Sequence, residues 1–417
     1  MQCGLASVRF RSPSTNRSRR RGSTRLSRGN AAGQMKTGAI SIVAGLRSTT
    51  SSCASRKNWA IQRFAPGRKL FLATSLVLSR SNSIRTYNLA LIGFGNVGKE
   101  FVRLLAVKEA ELRRAYGIAW RLTGVASRRM GWVADANGLD PAALLNHRWP
   151  PSGGSTLRNV REWLTGAQAD VLFEATSLDR QTGYPAIDHL KAALESGAHA
   201  ISANKGPIVH AYQELCELAR FKGQKFLFES TVMDGTPIFS MFLNSLPAVE
   251  LRGFRGILNS TTNVVLTEME KGLSLDEAVK KAQELGVAST DVSDDLDGWD
   301  AAVKVAALVI VLMGVSIKLE QVERTGIRTV TPEHVRAARA SGRRYKLVCR
   351  AERTPEGVRA RVRPEQLPMS DPLALLDGTT SALRFDLDVF GLSIIEHKLG
   401  VVATAYGLLT DFIRAVA

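Results

Sequence analysis

From residue 87 onward, apolar positions alternate between short strand-like runs and longer helical stripes. Asn88-Leu89-Ala90-Leu91-Ile92 reads as a buried strand, and Phe101, Val102, Leu104 and Leu105 mark the helix that follows. The strand signature returns at 122–126, 170–175 and 198–202, with a helix at 185–196 before the last of these. Strands alternating with helices predict an α/β fold, with a Rossmann-type dinucleotide-binding domain over residues 86–235. Residues 236–391 predict an α+β substrate and dimerisation domain. It has a strand at 253–258, a helix at 274–285 and surface strands at 343–352 and 358–364. Ser274, with Glu277 three residues on, forms a capping box for that helix, and Gly286 stops it. Residues 392–417 carry an amphipathic helix, 404–416.

The most apolar helix is Val305 to Met313, and it is preceded by Asp294-Asp295-Leu296-Asp297-Gly298-Trp299-Asp300-Ala301-Ala302-Val303-Lys304. Asp300 and Lys304 are four residues apart and share a helix face. Asp294 and Asp295 are expected just before the helix, where negative charge and N-capping are favourable. An isolated pair at this spacing is usually a surface ion pair. A lysine where the chain turns fully apolar is instead paired or functional, which marks Lys304 as the chemical centre.

A cofactor for it is legible upstream. Gly93-Phe94-Gly95-Asn96-Val97-Gly98 stands between the first strand and its helix, the context in which G-x-G-x-x-G binds a dinucleotide. The second strand ends in Ser127-Arg128-Arg129, with no acid for a ribose hydroxyl and two cations for a 2′-phosphate, which predicts NADP(H) over NAD(H). Ser177, Asn204 and Lys205 lie at the carboxyl ends of later strands and are expected near the nicotinamide.

Charge changes the picture only at the amino end. The formal charge is +18 over 417 residues, but residues 1–85 hold seventeen Lys or Arg and no acid. The rest has 39 basic and 38 acidic residues, which removes nucleic acid and membrane as expected partners. The Arg- and Ser-rich leader has the composition of an organelle transit peptide, plastid more than mitochondrial. Its longest apolar run, Leu70 to Leu78, is too short to span a bilayer. Beyond it, Cys216 and Cys349 show no metal-ligand spacing, and a reducing compartment fits.

Four further motifs stand in order: Ile201-Ser202-Ala203-Asn204-Lys205-Gly206-Pro207-Ile208, Phe228 to Pro237, Gly256 to Asn263, and Asp295-x-x-Gly298-x-Asp300-x-x-x-Lys304. With the glycine loop they resemble homoserine dehydrogenase from about Tyr87 to the end of the chain. The resemblance implies NADPH-dependent, reversible reduction of L-aspartate 4-semialdehyde to L-homoserine in threonine, methionine and isoleucine biosynthesis, by a homodimer. It implies Lys304 as proton donor, Asp300 on substrate and Lys205 at the cofactor–substrate junction. Asn259, Thr261, Ser289 and Asp295 match substrate positions, and Gly286 and Gly400 match glycines lining the nicotinamide. Glu229, with backbone oxygens of Val232, Asp234 and Thr236, matches a monovalent-cation (sodium) site.

Two positions depart from the pattern. Ser289 stands where the family commonly has a glutamate on the substrate amine, and His397-Lys398-Leu399-Gly400 replaces P-G-A-G. They leave as alternatives an NADP-binding sensor or a dehydrogenase of another small carbonyl compound. A chain with neither a kinase module nor a regulatory module is expected.

Overall fold

A computed structural model describes residues 83–148, 157–397 and 400–417, so the expected leader lies almost wholly outside the described residues. Strand β1 (Arg85–Ile92) opens at Arg85, three residues before the apolar run, because its polar start pairs with the long strand β2 (Ile118–Ser127). Between them runs α1 (Asn96–Tyr116). Then come β3 (Gly131–Ala134), α2 (Pro141–Leu145), α3 (Val160–Ala167), β4 (Val171–Glu174), α4 (Ala186–Glu195), β5 (His199–Ser202), α5 (Gly206–Lys222) and β6 (Phe226–Leu227). The sheet order is β3-β2-β1-β4-β5-β6, all pairs parallel except β2 with β3. This is the expected dinucleotide-binding topology, with its crevice outside the carboxyl ends of β1 and β4.

The second unit continues with α6 (Ile238–Ser245), β7 (Leu251–Ile257), α7 (Ser260–Met269), α8 (Leu275–Glu284), α9 (Ser293–Leu296) and α10 (Trp299–Leu312). After β8 (Glu323–Arg324) and α11 (Pro332–Ala340) follow β9 (Arg343–Thr354), β10 (Gly357–Pro368), β11 (Ser381–Leu387) and β12 (Gly391–Glu396). Their sheet runs β12-β11-β7-β9-β10-β8. Strand β9 is therefore internal, not a surface strand: it pairs on both edges, and Lys346 and Cys349 on it are fully buried. Its alternation of charged and apolar residues misleads because Arg344 and Lys346 are buried with partners, Glu270 and Asp377 for the first and the Asn263 side chain for the second.

Helix α10 is the hinge piece of the core. Nine of its residues are buried, and it packs between α5 of the first unit and strands β9 and β10 of the second. The last helix, α12 (Val401–Val416), lies against α1, and Leu408, Leu409 and Phe412 share a core with Leu89, Phe101 and Phe173. Among the described residues no helix is long and apolar enough to cross a membrane.

Candidate active site

Gly93 ends β1 with φ +96°, and a Cβ there would stand 2.3 Å from the Ala175 carbonyl oxygen, so only glycine makes this turn. A Cβ on Gly98 would lie 2.6 Å from the Gly93 oxygen, which lets α1 start tight against the strand. A Cβ on Gly95 would meet nothing within 4 Å; the loop faces a cleft of about 1270 Å³. Helix α1 has no side-chain cap and no acid in its first turn, so its amino-terminal N–H groups suit an anion. The cleft is lined by Gly93, Gly95, Asn96, Arg128 and Ser177, while Val97 and Gly98 sit behind in the first turn of α1. Arg128 and Arg129 are exposed on its wall, where β2 turns into β3. These residues fit a dinucleotide.

Asn204 stands behind the wall of that cleft, tied to Thr176 and Ser177. Its Nδ2 donates to the Thr176 and Ser177 carbonyl oxygens (both 3.3 Å), and its Oδ1 accepts from Gly206 N (2.9 Å). Buried Glu174 braces the same loop, accepting from Thr176 N (3.0 Å), the Thr176 hydroxyl and the Ser202 hydroxyl. The cleft wall and the start of α5 are thereby locked together, and the next residue, Lys205, reaches across to the second unit.

There it meets Asp300. Lys205 Nζ is 3.2 Å from Asp300 Oδ1, and Lys304 Nζ is 3.1 Å from Asp300 Oδ2. All three side chains are about 20% exposed. Asn259, the N-cap of α7, donates from Nδ2 to Asp295 Oδ1 (2.6 Å) and to Asp300 Oδ2 (3.0 Å). Lys304 also donates to the Leu258 carbonyl oxygen (2.7 Å). Burial alone would raise the Asp300 carboxyl; Lys304 and then Lys205 outweigh it and hold it well below the ordinary carboxylate range. Burial likewise acts to lower the Lys304 ammonium, but Asp300 reverses the sign and raises it. The Asp295 carboxyl is raised by burial and by Asp300.

One expectation is corrected here. Asp294 and Asp295 do not cap the long helix: they form a separate turn, α9, and Gly298 at φ +79° redirects the chain into α10 with no side-chain cap. That turn aims Asp295 at Asn259 and leaves Asp294 to bond Arg180 Nε (3.1 Å).

Thr261 joins this cluster, its side chain bonding the Asp295 carboxyl, while other candidates lie apart. Ser289 is exposed, and its hydroxyl bonds the Asp291 carbonyl oxygen in its own loop. Gly286 ends α8, and Thr261 donates to the neighbouring Val287 oxygen (3.4 Å). Glu229 is buried with both carboxylate oxygens engaged, by Phe239 N (2.7 Å) and Ser240 N (2.8 Å) at the start of α6, and Arg414 lies 3.4 Å away. In the turn that also holds Val232, the Thr236 oxygen already accepts from Ile238 N (2.8 Å). Among the described residues no group of three or more His, Cys, Asp or Glu side chains suits a metal ion.

Sequence reasoning named Asp234 only for its backbone oxygen and missed Glu396. Asp234 fastens the start of α12, accepting from Gly400 N (3.2 Å) and the Thr404 hydroxyl (3.0 Å). Glu396 ends β12 within electrostatic reach of Asp234 and Lys304; burial pushes its carboxyl up to about 7, and Asp234 adds to the shift. The only signal for it was a lone acid closing the run Leu392-Ser393-Ile394-Ile395.

A family model described as homoserine dehydrogenase matches residues 237–413, and one described as homoserine dehydrogenase, NAD binding domain, matches 93–229. The chain is 35% identical over 338 residues to an NAD(+)-dependent homoserine dehydrogenase of Pseudomonas canavaninivorans, covering 79% of this chain and 96% of that one. It is 32% identical to the homoserine dehydrogenase of Sulfurisphaera tokodaii, covering 78% and 97%. A homoserine dehydrogenase structure from Thiobacillus denitrificans superposes with a TM-score of 0.68 at 28% identity, covering 79% of this chain and 73% of that one. With a dinucleotide crevice, and two lysines held on one aspartate beside its inner end, the chain belongs to the homoserine dehydrogenase family of NAD(P)-dependent oxidoreductases.

Proposed function

We propose that the protein interconverts L-aspartate 4-semialdehyde and L-homoserine with NADP(H), a step of threonine, methionine and isoleucine biosynthesis. The observation that carries this is the Lys205–Asp300–Lys304 cluster, joined through Asn204 to the inner wall of the cofactor cleft. The glycine loop and the start of α1 would hold the dinucleotide phosphates, and a bound nicotinamide would supply the hydride. The chain's own task is to answer the negative charge that grows on the carbonyl oxygen. Lys304 does so as a fixed ammonium and then donates its proton. An alkoxide is a far stronger base than an amine, so this transfer runs downhill even from a raised lysine. Asp300 keeps the two ammonium groups together, and Lys205 is placed to hold a carboxylate or to assist at the carbonyl. No step is assigned to a cation at Glu229.

The reading is tested with a protein beginning near Ser83. We assign the acid-free leader to organelle import, into a plastid, so its removal should leave a folded enzyme that reduces aspartate 4-semialdehyde. Steady-state rates with NADPH check both points, and an insoluble or inactive product sinks them. Ser289 favours, as a second reading, another small carbonyl substrate, which the same assay would show as turnover of that compound alone.

The preference for NADP rests on Arg128 and Arg129 on the cleft wall. NADPH should bind on the order of tenfold tighter than NADH, and Arg128→Ala should narrow the gap, since a guanidinium–phosphate contact is a strong charge-assisted bond. The Pseudomonas relative is named for NAD(+), so fluorescence titration of both cofactors is decisive. Equal affinities in the parent protein would remove the assignment. Self-association into a homodimer is supported by exposed apolar side chains around the second sheet, among them Leu375, Val389, Phe390 and Ile395.

A further inference from the structure

The Lys304 cluster contains one polar atom with nothing to bond. Glu396 Oε2 is buried and has no hydrogen-bond partner, although the Thr236 side chain bonds the same carboxyl group. A buried acceptor left unpaired is costly, and native structures keep one chiefly where something arrives to satisfy it. Glu396 closes β12, opposite Ser381 on β11, just before the chain crosses to α12. Around Lys304 stand four carboxyl groups, Asp234, Asp295, Asp300 and Glu396, against two ammonium groups, Lys205 and Lys304. Three of the four are already engaged: Asp300 by both lysines, Asp295 by Asn259, and Asp234 by Gly400 and Thr404. Glu396 is the one carboxyl group of the four with a buried oxygen left unpaired.

We infer that Glu396 is the acceptor for the substrate's α-ammonium group, and so the residue that selects an amino-acid aldehyde over a simple one. This rests on the proposed reaction, in which the substrate carries a carbonyl, a carboxylate and an ammonium group. The two lysines take the first two, and the ammonium needs an anion. Ser289 cannot serve, because it is uncharged, exposed and bonded within its own loop.

The test compares kcat/KM for aspartate 4-semialdehyde with that for 4-oxobutanoate, the same aldehyde acid without the ammonium group. The parent should prefer the amino compound. In Glu396→Gln, which keeps the shape and removes the charge, that preference should fall on the order of 10–100-fold. Glu396→Asp should retain part of it. A ratio of two substrates on one preparation does not depend on how much protein is folded, so a purely structural role lowers both constants and leaves the ratio alone. A ratio within threefold of the parent's overturns the inference. A parent that reduces no aspartate 4-semialdehyde overturns instead the reaction on which it rests.

Discussion

Replacing Lys304 with alanine should lower kcat by on the order of 10²–10⁴, the usual contribution of a positioned acid, and leave cofactor affinity almost unchanged. The separation follows from distance along the fold. In the proposed reading the phosphates sit at Gly93–Gly98 and the cleft wall, while Lys304 acts on the far side of Asn204 and Lys205. The loss should come mainly in kcat, because the ammonium is needed most where charge develops. Stability should suffer little, since Asp300 keeps Lys205 at 3.2 Å and is not left alone. Rates and melting temperature on one preparation check both halves. A folded Lys304→Ala protein with kcat within threefold of the parent would move the proton-donor role to Lys205.

Asp300→Asn should do the opposite to the fold. It removes the one carboxylate that both lysines touch in a partly buried site, which should cost about 3 kcal/mol at neutral pH. That corresponds to roughly 5–10 °C in Tm. The pH dependence gives the sign. Asp300 is held below its unfolded value, so its contribution is fully present above about pH 4 and is lost as pH falls through the folded value. The gap between parent and variant should therefore close in acid. It should also narrow towards pH 10, where the uncompensated lysines of the variant lose protons more readily folded than unfolded. Urea unfolding across pH 3–10 measures it, and a gap constant with pH would show that the pair is not what stabilises the site.

These two results depend on features of unequal legibility. The glycine loop and the i, i+4 spacing of Asp300 and Lys304 are local, so turn chemistry and helical period reveal them before any contact is known. Lys205 was recognisable as a strand-end residue, but its bond to Asp300 joins α5 to α10 and depends on how two units pack. Asp294 and Asp295 looked like caps because capping is judged from the residues just before a helix. Gly298 changes the direction of the chain and gives them other partners. Arg344 and Lys346 made β9 look solvent-facing, since pattern reading assumes that charges face water. Glu396 offered only a lone acid at the end of an apolar run, because its meaning lies in what it fails to bond.

The docking of α12 on α1 bears on the order of synthesis. Leu408 and Phe412 complete the core that holds Phe101 and Phe173, yet they are translated only after the entire second unit. Domains usually form amino end first as they leave the ribosome. This one stays open along one side until the chain's final helix emerges. The face that holds Phe101 and Phe173 is covered only once α12 has been made.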